Sequence, residues 1–192
     1  MLLIQHRVNT REDLKRVPPE RGVEVDVRYK GTSLILQHDP YADGEPFEDW
    51  LAGYRHAFLI VNVKSEGVED KALELLKKHG VRAYFFLDLS FPALVKLARQ
   101  GEKNIAVRFS EHEPLEACLA AKDLARWVWV DCFTRLPLDA RSHAALSKQF
   151  KLCVVSPELE RHDPARIDEF KKLLVACPAD AVCTKFPDRW LR

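Results

Sequence analysis

The chain has 192 residues, 47% apolar and 31% charged, an ordinary soluble composition with enough chain for one sizeable core. Its formal net charge of +1 gives no support to non-specific nucleic-acid or membrane-surface binding. No apolar run reaches the length of a membrane span, and the five scattered cysteines show no CxxC or metal-type spacing. Cys118, Cys132, Cys153, Cys177 and Cys183 therefore read as reduced, mostly buried thiols of a cytoplasmic protein. Met1-Leu2-Leu3-Ile4 is too short for a signal peptide.

In chain order, Leu2 to Gln5 reads as a strand followed by His6-Arg7, and Asn9 or Thr10 caps a helix that ends before Pro18-Pro19. Val23, Val25 and Val27 alternate with Glu24, Asp26 and Arg28, the pattern of a strand with one apolar and one charged face. A turn at Lys30-Gly31 returns the chain through Leu34, Ile35 and Leu36 to Gln37-His38-Asp39-Pro40, so the second strand carries a hairpin arm. Phe47, Trp50, Leu51 and Tyr54 have helical spacing, and Phe58 to Val63 is a strongly apolar strand that leads into Lys64. Further strands are expected at 83–87, 104–107, 127–130, 151–155 and 181–184. Helices are expected at 68–79, 91–100, 114–122, 139–150 and 164–176.

Eight strands alternating with helices predict a compact (β/α)₈ TIM barrel over residues 1–192, a single domain with a short or missing last helix. The rival, a doubly wound sheet, calls for a glycine-rich turn after its first strand, and His6-Arg7-Val8-Asn9 is not one. In a barrel, alternate strand residues point inward and chemistry gathers at the C-terminal ends. That parity places His6, Glu24, Asp26, His38, Asn62, Lys64, Asp88, Arg108, Asp131 and Lys185 around one mouth. Carboxylates there suit a hard divalent ion, Mg²⁺ or Ca²⁺. Histidines suit acid/base work, and Lys64 and Arg108 suit phosphoryl oxygens.

The ordered set His6-Arg7, Glu24-x-Asp26, His38-Asp39 and Asn62-x-Lys64 resembles the glycerophosphodiester phosphodiesterases of the phospholipase-C-like phosphodiesterase superfamily. The resemblance covers the first third of the chain. It implies a TIM barrel in which His6 and His38 form the catalytic acid/base pair. It further implies that Glu24 and Asp26 are metal ligands, with Asn62 where the family has a third carboxylate. Arg7 and Lys64 would then lie near the phosphate; the same role for Arg108 is inferred from position. The family glycine after His-Arg is Val8 here, and the span from His38 to Asn62 lacks the capping insertion of many members. The implied ligand is a small phosphodiester, with no nucleic acid and no membrane span. Phe47, Trp50, Tyr54 and an exposed Trp190 are left as a cover for the barrel or a homodimer contact. Two other readings stay open: a phosphate-ligand binding or regulatory module, and a Schiff-base lysine at Lys64 or Lys185.

Overall fold

The computed structural model describes residues 1–191, which group into two compact units, residues 5–102 and residues 1–4 with Lys103 onward. In the first unit, β2 (Gly22–Lys30) is the central strand. It pairs antiparallel with β3 (Ser33–Leu36) and parallel with β5 (Phe58–Val63), and β5 pairs parallel with β6 (Tyr84–Leu87). A two-residue β4 (Glu45–Pro46), not expected from sequence, pairs with β3 and extends the hairpin arm by one strand. Gly44 precedes it and passes so close to the Leu36 carbonyl that any side chain would collide.

The β2–β3 turn is Gly31-Thr32, with Gly31 at φ 60°, which is why glycine serves there. Val27 lies opposite Leu36, and Gln37 N–H donates to the Asp26 carbonyl at 2.9 Å. The arm thereby carries His38 back to the level of the Glu24-x-Asp26 pair.

Helices α1 (Arg11–Arg16), α2 (Phe47–Ala52), α3 (Glu69–Lys78) and α4 (Phe91–Arg99) alternate with these strands. The predicted spacing of α3 holds: Val68, Ala72, Leu75 and Leu76 are its buried side. Phe47 and Trp50 are fully buried and Tyr54 nearly so, so these aromatics belong to the core of the unit and form neither an exposed cover nor a dimer patch.

The second unit orders its strands β1-β10-β9-β8-β7, with β1 at Leu2–Gln5, β7 at Ala106–Phe109, β8 at Trp127–Val130, β9 at Lys151–Val155 and β10 at Ala181–Thr184. The pairs β7/β8, β8/β9 and β9/β10 are parallel. Helices α5 (Leu115–Ala120), α6 (Ala140–Leu146) and α7 (Ile167–Ala176) connect them, α6 beginning with a capping box between Asp139 and Ser142. The last helix, α8 (Pro187–Leu191), is one short turn. Trp190 on it is buried and donates from Nε1 to Ser156 Oγ at 3.0 Å, contrary to the exposed position expected. A tryptophan near a terminus looks exposed in sequence until a polar partner for its indole is known. All five cysteines are free and buried, as expected.

On β2 both faces are buried: Val23, Val25 and Val27 are 0% exposed, Glu24 1% and Asp26 0%. Val61, paired with Val25, is likewise 0% exposed. Val61→Asp should therefore abolish cooperative unfolding or lower the melting temperature steeply, since an unpaired charge in the core costs several kcal/mol, about 3 or more. A soluble variant with unchanged melting temperature would show that Val61 is not in the core.

Candidate active site

Two carboxylates spaced i, i+2 on one strand share a face, and here that face is closed to water. Burying them without partners would be prohibitive, and the local backbone shows how partners are supplied. Directly after β1 the chain bends at Arg7, whose φ of 56° is left-handed, a rare and strained state for an arginine. The bend aims Arg7 N–H at Glu24 Oε2, 2.7 Å away, and lets Val8 N–H donate to the Glu24 carbonyl at 2.8 Å. The guanidinium of Arg7 reaches Asp26, with Nε 3.4 Å from Oδ2. Val8, where the resembling family has glycine, is buried, and the positive φ falls one residue earlier.

Asn9 completes the clamp. Its Nδ2 donates to Asp26 Oδ2 at 2.8 Å, and its Oδ1 accepts the Asp26 backbone N–H at 2.9 Å. Helix α1 is capped instead by Thr10, whose side chain accepts from Asp13 N. Of the two cap candidates the hydroxyl takes the cap and the amide takes the carboxylate. Sequence reasoning missed that role of Asn9, whose only signal is its position immediately before a residue able to cap by itself.

From the neighbouring strand, Asn62 lies in register with Asp26 and donates from Nδ2 to Glu24 Oε1 at 2.9 Å. Lys64, two residues on, places Nζ 3.7 Å from Asp26 Oδ1 and 3.2 Å from Asp88 Oδ2. Asp88 follows β6 in a left-handed conformation, φ 62°. His6 Nε2 lies 3.8 Å from Glu24 Oε2, with the side chain 15% exposed. The structure thus brings His6, Arg7, Glu24, Asp26, Asn62, Lys64 and Asp88 into one connected group.

His38 is held at the level of this group but is more open, its side chain 40% exposed. Its Nδ1 is 2.7 Å from Asp39 Oδ1, and Arg28 fastens the segment by donating to the carbonyls of Gln37 (3.0 Å) and His38 (2.7 Å). The bond from His38, and the charges of Arg7 and Arg28, hold the Asp39 carboxyl below its ordinary value. The sequence named Asp39 in the motif but gave it and Arg28 no role. Arg108 lies in the other unit, ion-paired with Asp131, which also accepts from Trp129 Nε1 at 2.9 Å. Lys185 N–H there donates to the buried Glu158 at 2.8 Å.

Glu24 has its pKa raised to about 7, first by burial and second by the neighbouring charge of Asp26. Asp26 Oδ1 and Asn62 Oδ1 are buried and accept no hydrogen bond. A carboxylate oxygen and an amide oxygen left over beside a second carboxylate are hard donors that suit Mg²⁺ or Ca²⁺. Among the described residues no group of three or more His, Cys, Asp and Glu side chains could hold a metal ion. A site at this place therefore needs the amide oxygen of Asn62 as its third protein donor.

No family model matches the chain, and no curated protein is similar to it in sequence. In structure it is similar to a protein assigned as a glycerophosphoryl diester phosphodiesterase from Agrobacterium tumefaciens str. C58, at 13% identity and TM-score 0.75, over 100% of this chain and 96% of that one. A glycerophosphodiester phosphodiesterase from the same organism matches at 14% identity and TM-score 0.71, over the whole of both chains. The fold is that of the glycerophosphodiester phosphodiesterases. Its class is the TIM-like α/β barrel expected from the alternation of strands and helices. Tryptophan synthase subunit alpha from Campylobacter jejuni also matches, at 16% identity and TM-score 0.57, over 95% of this chain and 85% of that one. Likeness at such identities establishes the glycerophosphodiester phosphodiesterase-type fold, and the chemistry has to be argued from the site. No helix among the described residues is long and apolar enough to cross a membrane.

The raised pKa of Glu24 fixes the sign of a pH effect. Its folded value, about 7, exceeds its ordinary value of 4.5, so the folded state binds the extra proton between them and loses stability as pH rises through that window. Metal-free protein should melt at a lower temperature at about pH 8 than at about pH 5, with Glu24→Gln flattening the difference. A divalent ion held by Glu24 would compete with that proton, so its affinity would fall on acidification below about pH 7. A Glu24→Gln variant with an undiminished pH slope would overturn this account.

Proposed function

We propose that the chain is a metal-dependent phosphodiester hydrolase acting on a small glycerophosphodiester-like substrate. The observation that carries this reading is the buried Glu24–Asp26 pair gathered with His6, Arg7, Asn62 and Lys64, on a chain with the glycerophosphodiester phosphodiesterase-type fold. Glu24, Asp26 and the Asn62 amide would hold Mg²⁺ or Ca²⁺, which when bound polarises a phosphoryl oxygen and offsets charge in the transition state.

The remaining chemistry belongs to the chain's own side chains. Asp39 is ionised and accepts from His38 Nδ1, so the proton sits on Nδ1 and Nε2 presents a lone pair. His38 is thereby the base: it takes the proton of a substrate hydroxyl next to the phosphate, whose oxygen attacks phosphorus and closes a cyclic diester. His6 lies beside the Glu24 carboxylate, an opposite charge for its imidazolium, and gives a proton to the departing alkoxide as the P–O bond breaks. Water then opens the cyclic phosphate with the two roles exchanged. Arg7, 44% exposed at its side chain, and Lys64 face the phosphate and offset its developing charge.

One observation favours a second reading, a phosphate-ligand binding or regulatory module. Asn62 already donates to Glu24, and Asp26 is already flanked by Arg7 and Lys64, so the group is electrostatically closed without an ion. The Schiff-base reading of Lys64 is disfavoured by its two carboxylate partners, which are those of an ammonium.

A panel of phosphodiesters assayed with and without Mg²⁺, Mn²⁺ and Ca²⁺ tests the proposal, and metal-dependent cleavage of at least one is expected. His6→Ala and His38→Ala should each lower turnover by about 100-fold or more while leaving the fold and the metal affinity intact. Asn62→Glu should tighten metal binding and destabilise the metal-free protein, because it replaces a donor to Glu24 with a third negative charge. If no diester is cleaved with any ion, the binding-module reading takes its place. If Asn62→Glu binds metal no better than the parent, Asn62 is not a ligand.

A further inference from the structure

The proposed base, His38, projects from a short stretch of backbone beyond the reach of the sheet. The β2–β3 ladder ends at the pair Val27 and Leu36, and residues 37–44 belong to no strand. One backbone bond continues past that point, from Gln37 N–H to the Asp26 carbonyl at 2.9 Å. With its side chain 40% exposed, His38 also has little packing to orient it. A base presented from a loose loop samples many orientations, whereas proton transfer needs one.

Side chains hold this stretch where the ladder does not. Arg28 lies on the same face of β2 as Glu24 and Asp26, two and four residues further on. Its Nε donates to the Gln37 carbonyl at 3.0 Å and its Nη2 to the His38 carbonyl at 2.7 Å. These two carbonyls belong to the peptide groups on either side of the His38 Cα. One rigid planar guanidinium therefore ties both peptide planes, and with them the φ and ψ of His38. Around it, Gln37 Oε1 accepts from Asp39 N–H at 3.2 Å, and Gln37 Nε2 donates to the Asp43 carbonyl at 2.8 Å. The fixed backbone in turn sets Asp39 against the ring, with Oδ1 2.7 Å from His38 Nδ1.

We propose that Arg28 is the positioning residue of the base: its fork fixes the backbone on both sides of His38, so that Asp39 holds the proton on Nδ1 and Nε2 faces the substrate. The catalytic consequence rests on the phosphodiesterase reading; the hold on His38 does not. The fork, and not the charge alone, is the working part. A lysine at position 28 would keep a positive charge near Asp39, but an ammonium on a flexible stem does not reproduce two donors in fixed geometry.

The test compares Arg28→Ala and Arg28→Lys with the parent in the intact chain, by kinetics and by NMR. On a phosphodiester that the parent cleaves, both variants should lower kcat by about tenfold or more while KM changes less than about twofold. Added guanidinium, at a concentration that does not denature, should recover part of the loss in Arg28→Ala. Independently of turnover, the ring nitrogen resonances of neutral His38 should report the Nδ1–H tautomer in the parent and a mixture of tautomers in both variants. Arg28→Lys serves where Arg28→Ala does not fold. Unchanged kcat and tautomer in the variants, even with a lowered melting temperature, would make Arg28 a structural residue only and overturn the proposal. Full activity of Arg28→Lys would overturn it as well, by assigning the effect to charge. A parent that cleaves no diester would instead remove the phosphodiesterase reading, and the hold on His38 would then stand or fall by the tautomers alone.

Discussion

Everything around the active group follows from the burial of two like charges on one strand. Glu24 and Asp26 are 1% and 0% exposed, and a carboxylate out of water is tolerated only where hydrogen bonds and opposite charge replace the solvent. The replacements come from two separate places in the sequence: Arg7 and Asn9 after the first strand, and Asn62 on β5 with Lys64 just beyond its end. The left-handed bend at Arg7 is the local cost of this arrangement, since only that turn points its amide at Glu24 while its guanidinium reaches Asp26. The same requirement explains why β2 continues into a hairpin. The arm returns His38 to the level of Asp26, and Arg28 pins the returning segment through two carbonyls.

The parts of this architecture that depend on period and punctuation were legible in the sequence. The alternation of Val23, Val25 and Val27 with Glu24 and Asp26 gave the strand and its parity, and the strands at 127–130, 151–155 and 181–184 fall where the apolar runs place them. The end of α7 at Ala176 falls where expected, but other helix ends were expected one to four residues too long, as at α6, because frayed last turns read the same as helix in a sequence. The two-residue β4 was invisible for a different reason. It has no periodicity of its own and exists only because β3 offers it an edge.

Side-chain partnerships were less legible than strand positions. Asn9 and Thr10 are equally good caps on paper, and only the proximity of Asp26, seventeen residues on, separates their roles. Trp190 similarly depends on Ser156, thirty-four residues away, before its burial makes sense. Long-range hydrogen bonds of this kind leave no spacing rule to detect, whereas the i, i+2 carboxylates and the Asn62-x-Lys64 pair do, because the pleat of a strand imposes it.

The amide at position 62 sets how the group balances its charge. With a carboxylate there, three negative charges would meet in a buried space, a cost that the metal-free fold would bear without a compensating cation. With Asn62, the two remaining charges are met by Arg7 and Lys64, and the amide contributes a donor to Glu24. The amide therefore lets the chain itself meet the buried charge, while Asn62 Oδ1 and Asp26 Oδ1 accept no hydrogen bond. A divalent ion held here, as proposed, would gain those two oxygens but would have to displace a proton from Glu24, whose pKa is raised to about 7 by burial and by the neighbouring Asp26. Near neutral pH the Glu24 carboxyl is thus divided between a protonated form and an ionised form, the second being the one that a cation would need.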